Sequence, residues 1–351
     1  MEPPMRRLKD LSEMAGVPGR EDGVRAYIEA HLRDLVDSVE TDAMGNLHVL
    51  KRSGRDGAPR LMVAAHMDEI GFIVRHVDDK GFLRLQHLGG FDARNLFARQ
   101  VTVHASFGAG PLVGVLNPAV KPVHVSTAEE RAKIPELASF YVDLGLGGER
   151  VRELVRVGDM VTLRQPFEDL GEVVTGKALD DRSGCWILME TLARVQAPAM
   201  DVHAVFTVQE EVGVRGAGTG AFRVAPDLAV ALDTTLALDT PGSADDARIT
   251  EMGKGTAIKV MDSRSISTRW LVDAFIDLAE RNAVPYQLEV LPLGGTDAAA
   301  MQLSREGTPA ITLSTPSRYV HTVTEMVAKA DLEAAVALLA AAISSGIPVP
   351  A

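Results

Sequence analysis

The sequence predicts an α/β fold: a mainly parallel, helix-covered sheet into which a small β-barrel-like domain is inserted. Three observations lead there. From Ser183 onward, apolar strands and amphipathic helices alternate, the pattern of a parallel sheet with helical crossovers. Residues 60–65 show no polar alternation after Arg60, as befits a strand covered on both faces. Between Ile70 and Phe167 the texture changes to short alternating runs broken by Gly, Pro and Asp, with no long helix, which suits a small barrel or sandwich.

Taken in order, residues 5–16 carry apolar positions at helical spacing and stop at Gly16, and Val17-Pro18-Gly19 is a turn. A second helix over 21–36 places Val24, Tyr27, Ile28, Leu32 and Leu35 on one face. Strands at 38–42 and 46–51 flank Met44-Gly45, and the buried strand 60–65 runs into His66. The inserted segment supplies strands at 71–77, 82–86, 100–104, 110–116, 140–144 and 160–163. The host resumes at Gly171 with helix 183–195, strands 202–208, 227–232 and 257–260, helix 268–281 and strand 286–290. A turn into a helix at 294–298, strand 309–313 and a closing helix 330–343 complete it.

At 351 residues and 46% apolar content, the chain is long enough for one large domain or two ordinary ones with a sizeable core. A net charge of −12, without clustered Lys and Arg, argues against nucleic acid as a partner. No window approaches the roughly 18 continuous apolar residues of a membrane span, and Met1–Arg7 is not followed by the apolar stretch of a signal peptide. The single cysteine, Cys185, cannot form an intramolecular disulfide. The expectation is a cytoplasmic protein.

The candidate chemistry centres on Asp180-Asp181, two acids at the mouth of a helix. Such acids serve either as caps, accepting backbone N–H bonds, or as ligands. His66 and Asp68, Glu210-Glu211, Asp233 and His321 also sit at or just after short apolar runs, which suggests hard oxygen and imidazole ligands converging on one sheet edge. His66 and Asp68 are two apart and would point the same way on extended chain, so an imidazole could take a metal while the acid steers it; a hydrogen-bonded histidine beside a solvated acid is the alternative. Glu210 and Glu211 would face opposite ways unless a turn intervenes, so one could hold metal while the other stays unligated as a base, or both could line a solvated loop. His31, His48, His76, His87, His104, His124 and His203 read as structural or solvated. No G-x-S-x-G elbow is present, and Gly213–Gly218 does not form a dinucleotide fingerprint.

Residues 65–72 (Ala-His-Met-Asp-Glu-Ile-Gly-Phe), 178–184, 209–217, 231–233 and 320–322 closely resemble the M42 family of dinuclear-metal aminopeptidases, the tetrahedral or TET peptidases. The opening 16–21 and the turn Gly294-Gly295-Thr296-Asp297-Ala298 are similar as well. The resemblance implies a zinc-peptidase core from 1–68 and 166–351 with an inserted dimerisation domain at 69–165. It implies that His66 and Asp233 bind one metal, Glu211 and His321 the other, and that Asp180 bridges them. Glu210 would be the general base, Asp68 would orient His66, and the Asp180–Asp181 peptide would be cis. Two divalent ions are implied; zinc suits mixed imidazole and carboxylate ligation, and cobalt or manganese fit the same shell. The substrates would be peptides with a free N-terminus, and dimers would assemble into a tetrahedral dodecamer. A glycoside hydrolase built on paired carboxylates and a non-catalytic scaffold are the alternative readings.

Overall fold

The computed structural model describes residues 3–108 and 110–350. The chain forms two compact units: residues up to Asp68, Pro166–Val320 and from Thr324 onward make the first, and Glu69–Gln165 with His321–Val323 the second. Among the described residues no helix is long and apolar enough to cross a membrane.

The first unit is built on a mixed sheet of eleven strands among the described residues. Its centre is parallel, with Asp201–Thr207, Arg60–His66, Leu228–Leu236 and Ala310–Arg318 side by side in that order. Antiparallel strands flank it: Leu47–Lys51 and Ser38–Thr41 on one side, Glu325–Ala328, Val173–Gly176 and Glu168–Asp169 on the other. A branch, Thr256–Met261 with Tyr286–Val290, pairs with Ala310–Arg318.

Side chains alternate across a strand, and residues 60–66 show what that does to this sequence. Leu61, Val63 and Ala65 enter one core with Trp186, Leu188, Val336 and Leu339 from the helices Leu179–Arg194 and Lys329–Ser345. Met62 and Ala64 enter another with Ala217, Ala221, Ala298 and Met301 from Arg215–Val224 and Asp297–Gln302. Both faces are thus dry, and the strand can be continuously apolar. At roughly 25 cal/mol per Å² of apolar surface, such burial dominates the stability of the unit. His66, in phase with Met62 and Ala64, is the first polar side chain after the run, and it is buried.

Among the described residues of the second unit, six antiparallel strands close into a barrel: Gly71–Val77, Leu83–Leu88, Phe140–Asp143, Gly110–Pro118, Arg99–Ala105 and Met160–Leu163. Closure removes the sheet edges, and alternate residues such as Phe72, Val74, Val101, Val103 and Val161 fill the interior. Val323, from the returning segment, belongs to the same core.

Candidate metal centre

Two of the parallel strands end side by side at Thr207 and His66, and the other two pass the same level at Asp233 and Ser314 before ending at Leu236 and Arg318. Thr207 pairs with His66, Asp233 with Ser314, and Ala231 with Ala64, so Asp233 stands two residues on, level with His66. Brought to this edge are His66 and Asp233 from strands, Asp180 from the mouth of a helix, and Glu210 and Glu211 from the loop after Thr207. Ligand atoms of His66, Asp180 and Glu211 lie within 4.8 Å of one another. Nε2 of His66 is 3.3 Å from Oδ1 of Asp180 and 4.0 Å from Oε2 of Glu210.

The two adjacent aspartates do different things. The peptide between them is cis, and neither has helical dihedral angles, so the helix proper begins after Asp181. Asp181 is fully buried and caps it: Oδ1 accepts the Gly184 N–H at 2.9 Å. Its Oδ2 accepts the N–H of His66 at 3.3 Å, tying the helix start to the strand end. Asp180 is left facing His66, with its own N–H donated to Oε2 of Glu325 at 3.0 Å.

Asp68 stands differently from a simple steering acid. Nδ1 of His66 is 3.0 Å from the main-chain carbonyl of Asp68 and 3.6 Å from its carboxylate. The carboxylate instead accepts the N–H groups of Glu210 and Glu211, at 3.0 and 3.1 Å. The turn that adjacent glutamates need is present, since Gln209 is left-handed at φ +58° and Gly213 follows at φ +125°. Asn46 grips the base of this loop: its Oδ1 accepts from Val208 N at 3.1 Å and its Nδ2 donates to Gly216 O at 3.1 Å.

Three buried acids enter the surroundings without a role assigned from sequence: Glu21, Asp297 and Glu325. Asp297 follows the Gly-Gly-Thr turn and accepts from the Thr207 hydroxyl. The turn motif was the available signal for it, whereas Glu325 lies on a four-residue strand with no distinguishing pattern. His321 belongs to the second unit, with φ +60°, where a β-carbon on Gly90 would stand 3.3 Å from its Nδ1.

The charge balance fits a cation. Burial opposes charge on His66, but the carboxylates of Asp180 and Asp68 outweigh it and raise the imidazole well above its ordinary range. Burial, and then neighbouring acids, push Asp181, Asp233 and Glu210 well above the usual carboxylate range, and burial lifts Asp297 to about 6. One imidazolium, with the nearby Lys259 ammonium already paired to Glu289 at 2.9 Å, cannot neutralise so many carboxylates removed from water. Nitrogen and oxygen donors gathered within one coordination sphere's reach suit a divalent transition metal.

Comparison with known proteins agrees. The family model for the M42 glutamyl aminopeptidases matches residues 45–338. An aminopeptidase structure from the archaeon Desulfurococcus kamchatkensis superposes with a TM-score of 0.92 at 36% identity, covering 99% of this chain and 97% of that one. The Pyrococcus horikoshii TET1 peptidase, described as assembling into a tetrahedron or a large octahedral shell, gives a TM-score of 0.87 at 31% identity, covering 97% and 99%. The lysyl aminopeptidase of Pyrococcus furiosus is 32% identical over 333 residues, 93% of this chain and 92% of its own length. With the match running through nearly the whole length of each relative, and through both units, this chain belongs to the M42 family of aminopeptidases.

Proposed function

We propose that the chain removes N-terminal residues from peptides using two divalent metal ions and Glu210 as general base. The observation that carries this reading is the convergence of buried His66 and Asp180 with half-buried Glu211, whose ligand atoms lie within 4.8 Å of one another. His66 and Asp233 would hold one ion, Glu211 and His321 the other, and Asp180 would bridge. Zinc suits the donor set; cobalt and manganese are the alternatives. When bound, such a pair polarises a scissile carbonyl and acidifies the attacking water. Glu210, anchored through its own N–H to Asp68, takes the water's proton at Oε2 and returns it to the leaving amine. Asp68 fixes the loop and, through its carbonyl, the ring of His66.

Dimers formed through residues 69–165 would join into a tetrahedral dodecamer that peptides enter; the Pyrococcus horikoshii TET1 peptidase, described as assembling into a tetrahedron or a large octahedral shell, supports the tetrahedral assembly. A cytoplasmic setting accords with the single buried thiol, Cys185. A glycoside hydrolase would need two acids facing each other across a sugar bond and would have no use for His66 at a strand end.

The test is a panel of free-amine and N-acetylated dipeptides, assayed after chelation and after return of Zn²⁺, Co²⁺ or Mn²⁺. Cleavage of free-amine peptides alone, lost on chelation and restored by metal, is the expected result. Indifference to chelator, or equal cleavage of acetylated peptides, would overturn it.

A further inference from the structure

Three consecutive N–H groups of the loop that carries Glu210 are held by two buried carboxylates. Asp68 takes those of Glu210 and Glu211, at 3.0 and 3.1 Å. The N–H of Gln209 goes elsewhere, to Oε1 of Glu21, at 3.1 Å across 188 positions of sequence. The same oxygen accepts the N–H of Gly19 at 2.8 Å.

Glu21 immediately precedes the helix Asp22–Leu32, the position from which a short Ser, Thr, Asp or Asn side chain ordinarily caps the first turn. Its side chain makes no such cap. It is only 3% exposed, and its hydrogen bonds go to the preceding turn and to Gln209. A carboxylate committed in this way serves the loop rather than its own helix. The residue it holds is the left-handed Gln209, and a non-glycine residue keeps that conformation only where its surroundings over-determine it.

The foundation of Glu21 is shared with Asp68. The fully buried guanidinium of Arg182 donates to the carbonyls of Leu11 at 2.5 Å and Met14 at 3.1 Å, just ahead of the turn that leads to Glu21. It also donates to the carbonyl of Met67, the neighbour of Asp68, at 2.8 Å. Both acids that hold the loop are therefore set from one cation.

We propose that Glu21 is a positioning residue for the general base: by holding the Gln209 N–H, it fixes the left-handed bend that sets the direction of the Glu210 carboxylate. This rests on Glu210 being the base. A one-ångström error in a catalytic group costs about a hundredfold in rate, so loss of the bond should act on turnover.

The test compares Glu21→Gln with Glu21→Met in the metal-loaded enzyme. The side chains match in length, but only glutamine offers an oxygen for the two N–H groups. Glu21→Met is expected to lose about tenfold to a hundredfold in kcat, with KM and bound metal unchanged, while Glu21→Gln stays close to wild type. Adding Glu21→Met to Glu210→Gln should cause no further loss, because the two act through one group. Equal kcat in the two Glu21 variants, a loss confined to KM or metal content, or full additivity with Glu210→Gln would overturn the proposal. Should Glu21→Met not fold, Glu21→Ala replaces it, and a folded Glu21→Ala with wild-type kcat overturns it equally. Retained turnover in Glu210→Gln alone would instead remove the assignment of the base.

Discussion

Gly184 and Asp181 are packed so closely that a β-carbon on the glycine would collide with both oxygens of the aspartate. The same carboxylate takes the N–H of Gly184 and the N–H of His66, so the glycine is the condition for a bond that joins the helix start to the strand end. Gly184→Ala should therefore displace Asp181, and with it Asp180 and His66. The expected cost is about 1–3 kcal/mol, as for other overpacked buried positions, with weaker metal binding. Denaturant unfolding and metal titration check both.

Asn46 makes a further connection that fixes the Glu210 loop, beside those of Asp68 and Glu21. Replacing it with alanine leaves the buried N–H of Val208 without its acceptor, and an unsatisfied buried donor costs about 1–3 kcal/mol. Asn46→Ala should lower both the unfolding free energy and kcat. Asn46→Asp should retain the bond to Val208 but set a buried carboxylate oxygen against Asp42 and the Gly216 carbonyl in place of two donations. It should therefore destabilise at least as much as Asn46→Ala in the same assays.

Among these elements, the parallel core was legible because its strands are short, apolar and dry on both faces. His66 and Asp233 were visible because each ends such a run. The helix Arg215–Val224 was not read, since Gly216, Gly218 and Gly220 weaken helix propensity. Ala217, Ala221 and Val224, at helical spacing, were the signal for it. Gly216 is there because a side chain would strike Asn46 and the carbonyl of Val208, a requirement visible only once the chain is folded. The second helix ends at Leu32 and continues as a 3₁₀ turn, Arg33–Leu35, short of the predicted Val36. The cap-or-ligand alternative at Asp180-Asp181 could not be settled by spacing, because a change of dihedral angles between adjacent residues decides which carboxylate faces inward.

Stability should depend on pH through Asp331. Burial pushes its carboxyl up to about 6, although it accepts the N–H groups of Gly253 and Gly255, each at 2.7 Å. An acid whose folded value lies above its unfolded one favours the folded state as pH falls, because the native chain binds the proton more tightly. Its contribution therefore rises as pH drops from about 7 towards 4, by at most about 3 kcal/mol. Asp331→Asn should flatten that part of the stability profile, measured by denaturant midpoints against pH.

Removing metal should destabilise the chain at neutral pH, where clustered carboxylates repel one another. A divalent ion bound only by the folded state, at a hundred times its Kd, adds about 2.7 kcal/mol. Thermal scans with chelator and with graded metal should show Tm rising with metal concentration.

The most direct test of the central claim is Glu210→Gln, with turnover and bound metal measured on the same sample. Loss of about a hundredfold or more in kcat, with metal content equal to wild type, is the predicted result. Turnover that survives the substitution, or metal that is lost with it, would contradict the account.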